Sequence, residues 1–148
     1  MKPDGKSSIE FPDLTKTFPR SPRVKMAGLA HVARMTDKAR ALKMGTQGEY
    51  KYPCPLDEMV LEFIGVESGK FMEQATTLED HKVSDWVESL CHERNPEAKE
   101  TFNANFLKRA PDSEKAQDTF SKIRDKIDPS RTDVETWVDL IDLEEGRL

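Results

Sequence analysis

A chain of 148 residues, 36% hydrophobic and 34% charged, is long enough to bury the core of one domain without disulfide or metal staples. Its apolar runs fall well short of the roughly 18 residues of a membrane span, and its apolar residues are patterned, so the composition excludes a transmembrane protein and a disordered one. The net charge of −5 conceals an asymmetry: residues 1–51 carry 11 Lys/Arg against 5 Asp/Glu, and residues 52–148 carry 12 against 23.

That asymmetry predicts that the basic third packs against the acidic remainder. A nucleic-acid surface is the rival reading of the basic third. The absence of overall basic charge, of interleaved aromatics and of a helix-turn-helix pattern argues against it. Met1–Lys6 lacks the apolar segment of a secretory signal, so the expectation is a cytoplasmic protein with no membrane contact. Cys54 and Cys91 fit no metal-clip spacing and are expected as free thiols.

In chain order, residues 1–20 read as an extended N-terminal arm. Phe11, Leu14 and Phe18, spaced by prolines, would pin it to the body. Residues 21–148 read as a single all-α domain of six or seven amphipathic helices. Ser21-Pro22 suits a helix start, with a short turn expected to run to Gly28. A stronger helix covers about Ala30–Met44, with Val32, Met35, Ala39 and Leu42 on one stripe and Gly45 as its left-handed terminator. Arg34, Asp37 and Arg40 are three apart, so Asp37 would meet either arginine on the helix surface.

The helical period stops at Gly45–Asp57, an irregular connector with two glycines, two prolines and two tyrosines. Pro55–Ile64 is the next helix, with Cys54 near its N-cap, Asp57 near N3 and Gly65 as its stop. Further helices are expected at about 67–77, from Asp80, from Asn95-Pro96 to about Arg109, and from Pro111-Asp112 to Asp128. The last would open on a capping box at Thr132–Glu135 and carry Val134, Trp137, Val138 and Ile141 inward. Apolar excess on that helix or on the arm would serve a homodimer.

Asp13-Leu14-Thr15-Lys16, Ser21-Pro22-Arg23, Asp37-Lys38-Ala39-Arg40-Ala41, Gly48-Glu49-Tyr50, Cys54-Pro55-Leu56-Asp57 and the closing Thr132-Asp133, Trp137 and Asp142–Arg147 stand in an order that resembles the bacterial domain-of-unknown-function 5069 family over about residues 13–147. The resemblance implies a single-domain bacterial protein and brings no activity, ligand or catalytic residue with it. Thr36 stands where that family suggests an aliphatic residue, and Ala33 where a proline is common.

Chemistry would be sought at the connector. A thiol at a helix N-terminus is favoured as thiolate by the helix dipole and free N–H groups. Cys54 is therefore a candidate nucleophile or redox thiol, with Asp57 and Tyr50 assisting and a histidine, His31, His81 or His92, reaching it only through the fold. The plainer reading is an inert thiol beside a capping carboxylate. Tyr50 and Tyr52 alternate, so both rings would face one side, as core or as the wall of a pocket. Cys91 reads as core. His81 and His92 are too far apart on one helix to share a metal, and no cofactor motif occurs. The leading expectation is a non-enzymatic domain binding a small molecule or a protein partner through Arg34, Arg40, Tyr50, Tyr52, Cys54 and Asp57, with catalytic residues unassigned and a small Cys54-dependent enzyme as the alternative.

Overall fold

The computed structural model describes residues 9–91 and 96–148; His92 and Asn95, which the sequence reading used, lie outside them. Among the described residues seven helices follow a two-strand hairpin: β1 (Lys25–Met26), β2 (Leu29–Ala30), α1 (Val32–Met44), α2 (Pro55–Ile64), α3 (Ser68–Ala75), α4 (Asp80–Leu90), α5 (Pro96–Leu107), α6 (Glu114–Ile127) and α7 (Trp137–Glu144). The domain is all-α apart from that hairpin. Among the described residues no helix is long and apolar enough to cross a membrane.

The hairpin replaces the helical turn expected between Ser21 and Gly28. Ala27 and Gly28 have φ of 58° and 75°, the paired positive values of a tight turn that matches the twist of two antiparallel strands. Lys25 then faces Ala30, and Met26 faces Leu29. An alanine in the left-handed region is strained, and α5 holds it there. The buried Asn103 accepts from the Ala30 N–H (2.8 Å) and donates to the Gly28 carbonyl (2.9 Å), while Lys99 Nζ donates to the Ala27 carbonyl (3.0 Å). Alternation of polar and apolar residues over so few positions looks like a helical turn, which is why the period misleads here.

α1 is the axis of the molecule. Every residue from Val32 to Ala41 is buried, because α3 packs along it, the hairpin covers its start and the arm crosses its end. Its apolar positions join Val60, Phe71, Val83, Val87 and Phe106 in the main core. A second, smaller core between α6 and α7 holds Phe120, Val134, Leu140 and Leu143, with Trp137 edge-on to Phe120 at 5.1 Å. Thr36 fits the buried helix by donating its hydroxyl to the Val32 carbonyl one turn back (2.8 Å).

The expected termini hold at Gly45 and Gly65, both left-handed. The last helix begins later than its sequence suggested: Thr136, not Thr132, is the N-cap and accepts from the Asp139 N–H at 3.0 Å. Arg131 and Asp133 instead pair with each other in the preceding loop, and Val134 enters the small core from that loop.

Asn103→Ala should remove the hairpin clamp and leave the buried Ala30 N–H without a partner. The expected loss is about 1–3 kcal/mol of unfolding free energy, read from urea denaturation; an unchanged midpoint would contradict the clamp.

Candidate functional site

Four residues, two from α1 with its N-cap and two from α2 with its N-cap, meet where the hairpin, α1 and the connector join. His31 is the N-cap of α1 and has a left-handed backbone, φ 73°. Such a conformation in a residue other than glycine costs of order 1–3 kcal/mol and persists only where its surroundings hold it. Here it turns the imidazole inward, fully buried, 5.0 Å from the ring of Phe106. Lys38 lies two turns along the same helix and is 4% exposed. Cys54 and Asp57 are the N-cap and N3 of α2 and form a capping box. The Asp57 carboxylate accepts from the Cys54 N–H at 2.9 Å, and the Cys54 sulfur faces the Asp57 N–H.

Asp57 is the hub. Its Oδ1 lies 2.6 Å from His31 Nε2, and its Oδ2 accepts from Lys38 Nζ at 2.8 Å. Burial by itself would raise this carboxyl. The His31 hydrogen bond and the Lys38 charge outweigh it and hold the group at about 2, so Asp57 is an anion. Burial pushes His31 the other way, below its ordinary value, against the pull of Asp57. The imidazole is therefore neutral. Since its partner is a carboxylate, Nε2 carries the proton and donates it. The other nitrogen, Nδ1, is buried with no hydrogen-bond partner among the described residues.

Lys38 Nζ also lies 3.3 Å from Cys54 Sγ. The ligand-type atoms of His31, Cys54 and Asp57 are within 4.8 Å of one another, a set that would suit a zinc-like ion. The Lys38 ammonium already supplies the cation to two of them, and the His31 proton is committed to Asp57. Spacing along the chain gave no hint of this trio, because His31 comes from a different element.

Beside the cluster lies a cavity of about 680 Å³ between the arm, α1, the connector and the C-terminal turn, reached by Cys54, Lys38, Arg34, Gly48, Tyr50 and Lys51 among others. Its wall is built by Arg34, whose two terminal nitrogens donate to the Glu145 carboxylate at 2.9 and 2.6 Å. Tyr50 donates its hydroxyl to the same carboxylate (2.8 Å) and lays its ring under the Arg34 guanidinium, 5.5 Å away. Burial raises the Tyr50 phenol and its bond to Glu145 adds to that, so the hydroxyl stays protonated. Gly48, with φ +60°, brings the connector against the arm; a Cβ there would lie 3.0 Å from the Leu14 carbonyl oxygen.

The expected site residues therefore divide. Arg34, Tyr50 and Cys54 reach the cavity, and Asp57 lies directly behind it. Arg40 faces away: it donates to the Ala75 and Leu78 carbonyls and to Asp80, on the side of a separate cavity of about 910 Å³. Tyr52 also leaves, donating to the Ser68 carbonyl at 2.7 Å and packing toward Phe71. The expected sharing of Asp37 between Arg34 and Arg40 does not occur. Asp37 binds Arg20 instead, at 2.9–3.0 Å. Lys38 and Glu145 are the residues that sequence reasoning left out; of the three histidines it named, His31 comes to the cluster, bonded to Asp57 rather than to Cys54. The Cys-x-x-Asp capping pattern was visible, but not what its carboxylate would bind.

Stability should depend on pH through this cluster. The unfolded chain protonates His31 below about 6.5 while the folded state resists it, so stability falls as pH drops through that value. The Asp57 contribution follows lower down, present above about 3.9 and lost as pH falls toward 2. His31→Gln should flatten the decline in urea midpoint between pH 7 and pH 5; an identical decline in both proteins would show that the imidazole is not held neutral.

A comparison with curated proteins returns no match. The family model described as "Domain of unknown function (DUF5069)" matches residues 16–147, which includes α1, the connector, both ends of the His31–Lys38–Asp57–Cys54 cluster and the Glu145 turn. On that match over nearly its whole length, the chain belongs to the DUF5069 family.

Proposed function

We propose that this protein is a small-molecule-binding domain whose ligand occupies the cavity above Cys54 and Lys38. The observation that carries the reading is the cavity's balance of charge. Arg34 is neutralised by Glu145, and Lys38 by Asp57. Among the described residues, three charged side chains on the lining have no such partner: the cation of Lys51 and the carboxylates of Glu49 and Glu144. Partial loss of hydration, and then the charge of Glu145, push the Glu144 carboxyl above its ordinary value, the condition of a carboxylate short of a cation.

A ligand bearing both an ammonium and a carboxylate meets all three. The volume of about 680 Å³ lies within the usual range for small-molecule sites, and Leu14, Phe18 and Tyr50 supply apolar surface for its stem. The larger cavity has less to offer, because Arg20, Asp37, Arg40 and Asp80 already saturate one another. Within the basic third Arg34, Lys38 and Arg40 turn into the protein and Arg20 and Arg23 pair with carboxylates, which favours packing against the acidic remainder over a nucleic-acid surface.

Isothermal titration calorimetry with free amino acids and with cystathionine, a thioether-linked pair of amino acids, tests the reading. Binding should be detected for at least one, and the double change Lys51→Met with Glu144→Gln should weaken it about tenfold or more, as expected for losing two charged contacts. Absence of binding across the set, or equal binding by the double variant, would contradict it.

A further inference from the structure

Cys54 is the one sulfur on the cavity lining, and three features make it more than a lone thiol. Lys38 Nζ stands 3.3 Å from Sγ, and that lysine is fixed by its bond to the buried Asp57 rather than free to swing away. The capping box turns the sulfur toward the N-terminal N–H groups of α2. Cys54 is also half-buried, so small molecules reach it from the cavity, whereas Cys91 is 1% exposed within the main core. Both cysteines are free thiols.

The surroundings also select the chemistry. Hydrolysis through a thioester needs a base that activates water. His31 lies behind Asp57, buried and donating to it, and among the described residues no imidazole lies on the cavity lining. Thiol–disulfide exchange needs no such base, only an attacking sulfur, a leaving sulfur and a cation to steady the charge passing between them. Resting on the zwitterion-binding reading above, we propose that Cys54 exchanges with small disulfides of amino-acid type, of which cystine is the simplest, and carries the resulting mixed disulfide in the cavity.

In this step the Cys54 thiol gives its proton to solvent, and Sγ attacks one sulfur of the bound disulfide. A new Sγ–S bond forms as the old S–S bond breaks. The leaving sulfur departs with the bonding electron pair and takes up a proton, so one thiol and one disulfide yield one thiol and one mixed disulfide, and the small disulfide is the oxidant. Lys38 Nζ faces Sγ while charge passes to the leaving sulfur. Lys51 and Glu144 hold the ends of the amino acid.

The test incubates the reduced full-length protein with cystine near neutral pH and follows the cysteinyl adduct by intact mass, with peptide mapping to place it. Cys54 should react about tenfold faster than in the urea-unfolded chain, Cys91 should stay unmodified, and Lys38→Met should remove most of the acceleration. A Cys54 rate no faster than that of the unfolded chain, or an unchanged rate in a folded Lys38→Met protein, would overturn the proposal. Lys51→Met with Glu144→Gln leaves the buried pair intact and keeps the test open should Lys38→Met not fold. It should slow exchange with cystine but not with uncharged 2-hydroxyethyl disulfide, and equal rates for both would overturn the substrate class. Cystathionine resembles cystine but cannot exchange: if it binds Cys54→Ser while the wild type shows no accelerated exchange, the exchange fails and the binding reading stands.

Discussion

The site depends on one buried anion. Asp57 has no exposed surface, and its partner His31 is itself buried against the ring of Phe106. A carboxylate in that position is costly unless its oxygens are fully engaged. It is engaged by three donors from three places: the His31 imidazole, the Lys38 ammonium and the Cys54 backbone N–H. Those bonds fix the start of α1 against the start of α2 and hold the thiol beside the lysine. Removing any one donor leaves a buried charge short of a partner, so the geometry around Sγ follows from the electrostatics of Asp57.

The same arrangement recurs along α1. Arg34 reaches Glu145 at the C-terminal turn, Arg40 reaches Asp80 at the start of α4, and Asp37 takes Arg20 from the arm. Arg23 extends the pattern to Asp139 and Asp142 on α7. The helix is thus clasped by oppositely charged groups from elements far away in sequence. The pairs buried on both sides, Arg34 with Glu145 and Lys38 with Asp57, contribute little net stability over an apolar core, but breaking one is expensive, about 3–5 kcal/mol; the half-exposed pairs of Arg20, Arg23 and Asp80 are screened by water and worth less. They specify which surfaces of α1 meet which elements. The charge asymmetry between the first third and the rest is the outward sign of that construction, and the pocket wall of Arg34, Tyr50 and Glu145 is one of its products.

What could be read in advance followed from local chemistry. The Gly45 and Gly65 terminators, the Cys54 N-cap and the N3 position of Asp57 are each set by residues within a few positions of one another. The hairpin escaped because its turn depends on Asn103, more than 70 positions away. The start of α7 slipped because Thr132 and Thr136 are both competent caps and only the packing of Trp137 on Phe120 decides between them. Of the candidates singled out by their types and the irregular backbone around them, Cys54, Tyr50 and Arg34 line one cavity. Lys38 was not among those candidates, since a lysine inside a helix reads as solvated until the carboxylate that buries it is known. Tyr52 and Arg40 were misplaced for the opposite reason: spacing put them on a plausible face, and carbonyl acceptors at Ser68, Ala75 and Leu78 drew them elsewhere.

Function, in this account, follows from how charge is divided within the cluster. Asp57 carries the negative charge, Lys38 the positive one, and His31 is a neutral donor that completes the hydration the carboxylate has lost. Only then does the lysine stand as a cation beside the thiol. Nitrogen-detected NMR of the His31 ring measures this division directly. A neutral imidazole is expected at pH 7, protonated at Nε2 and bare at Nδ1, with its titration displaced below the ordinary range. An imidazolium at neutral pH, or the proton on Nδ1, would contradict it.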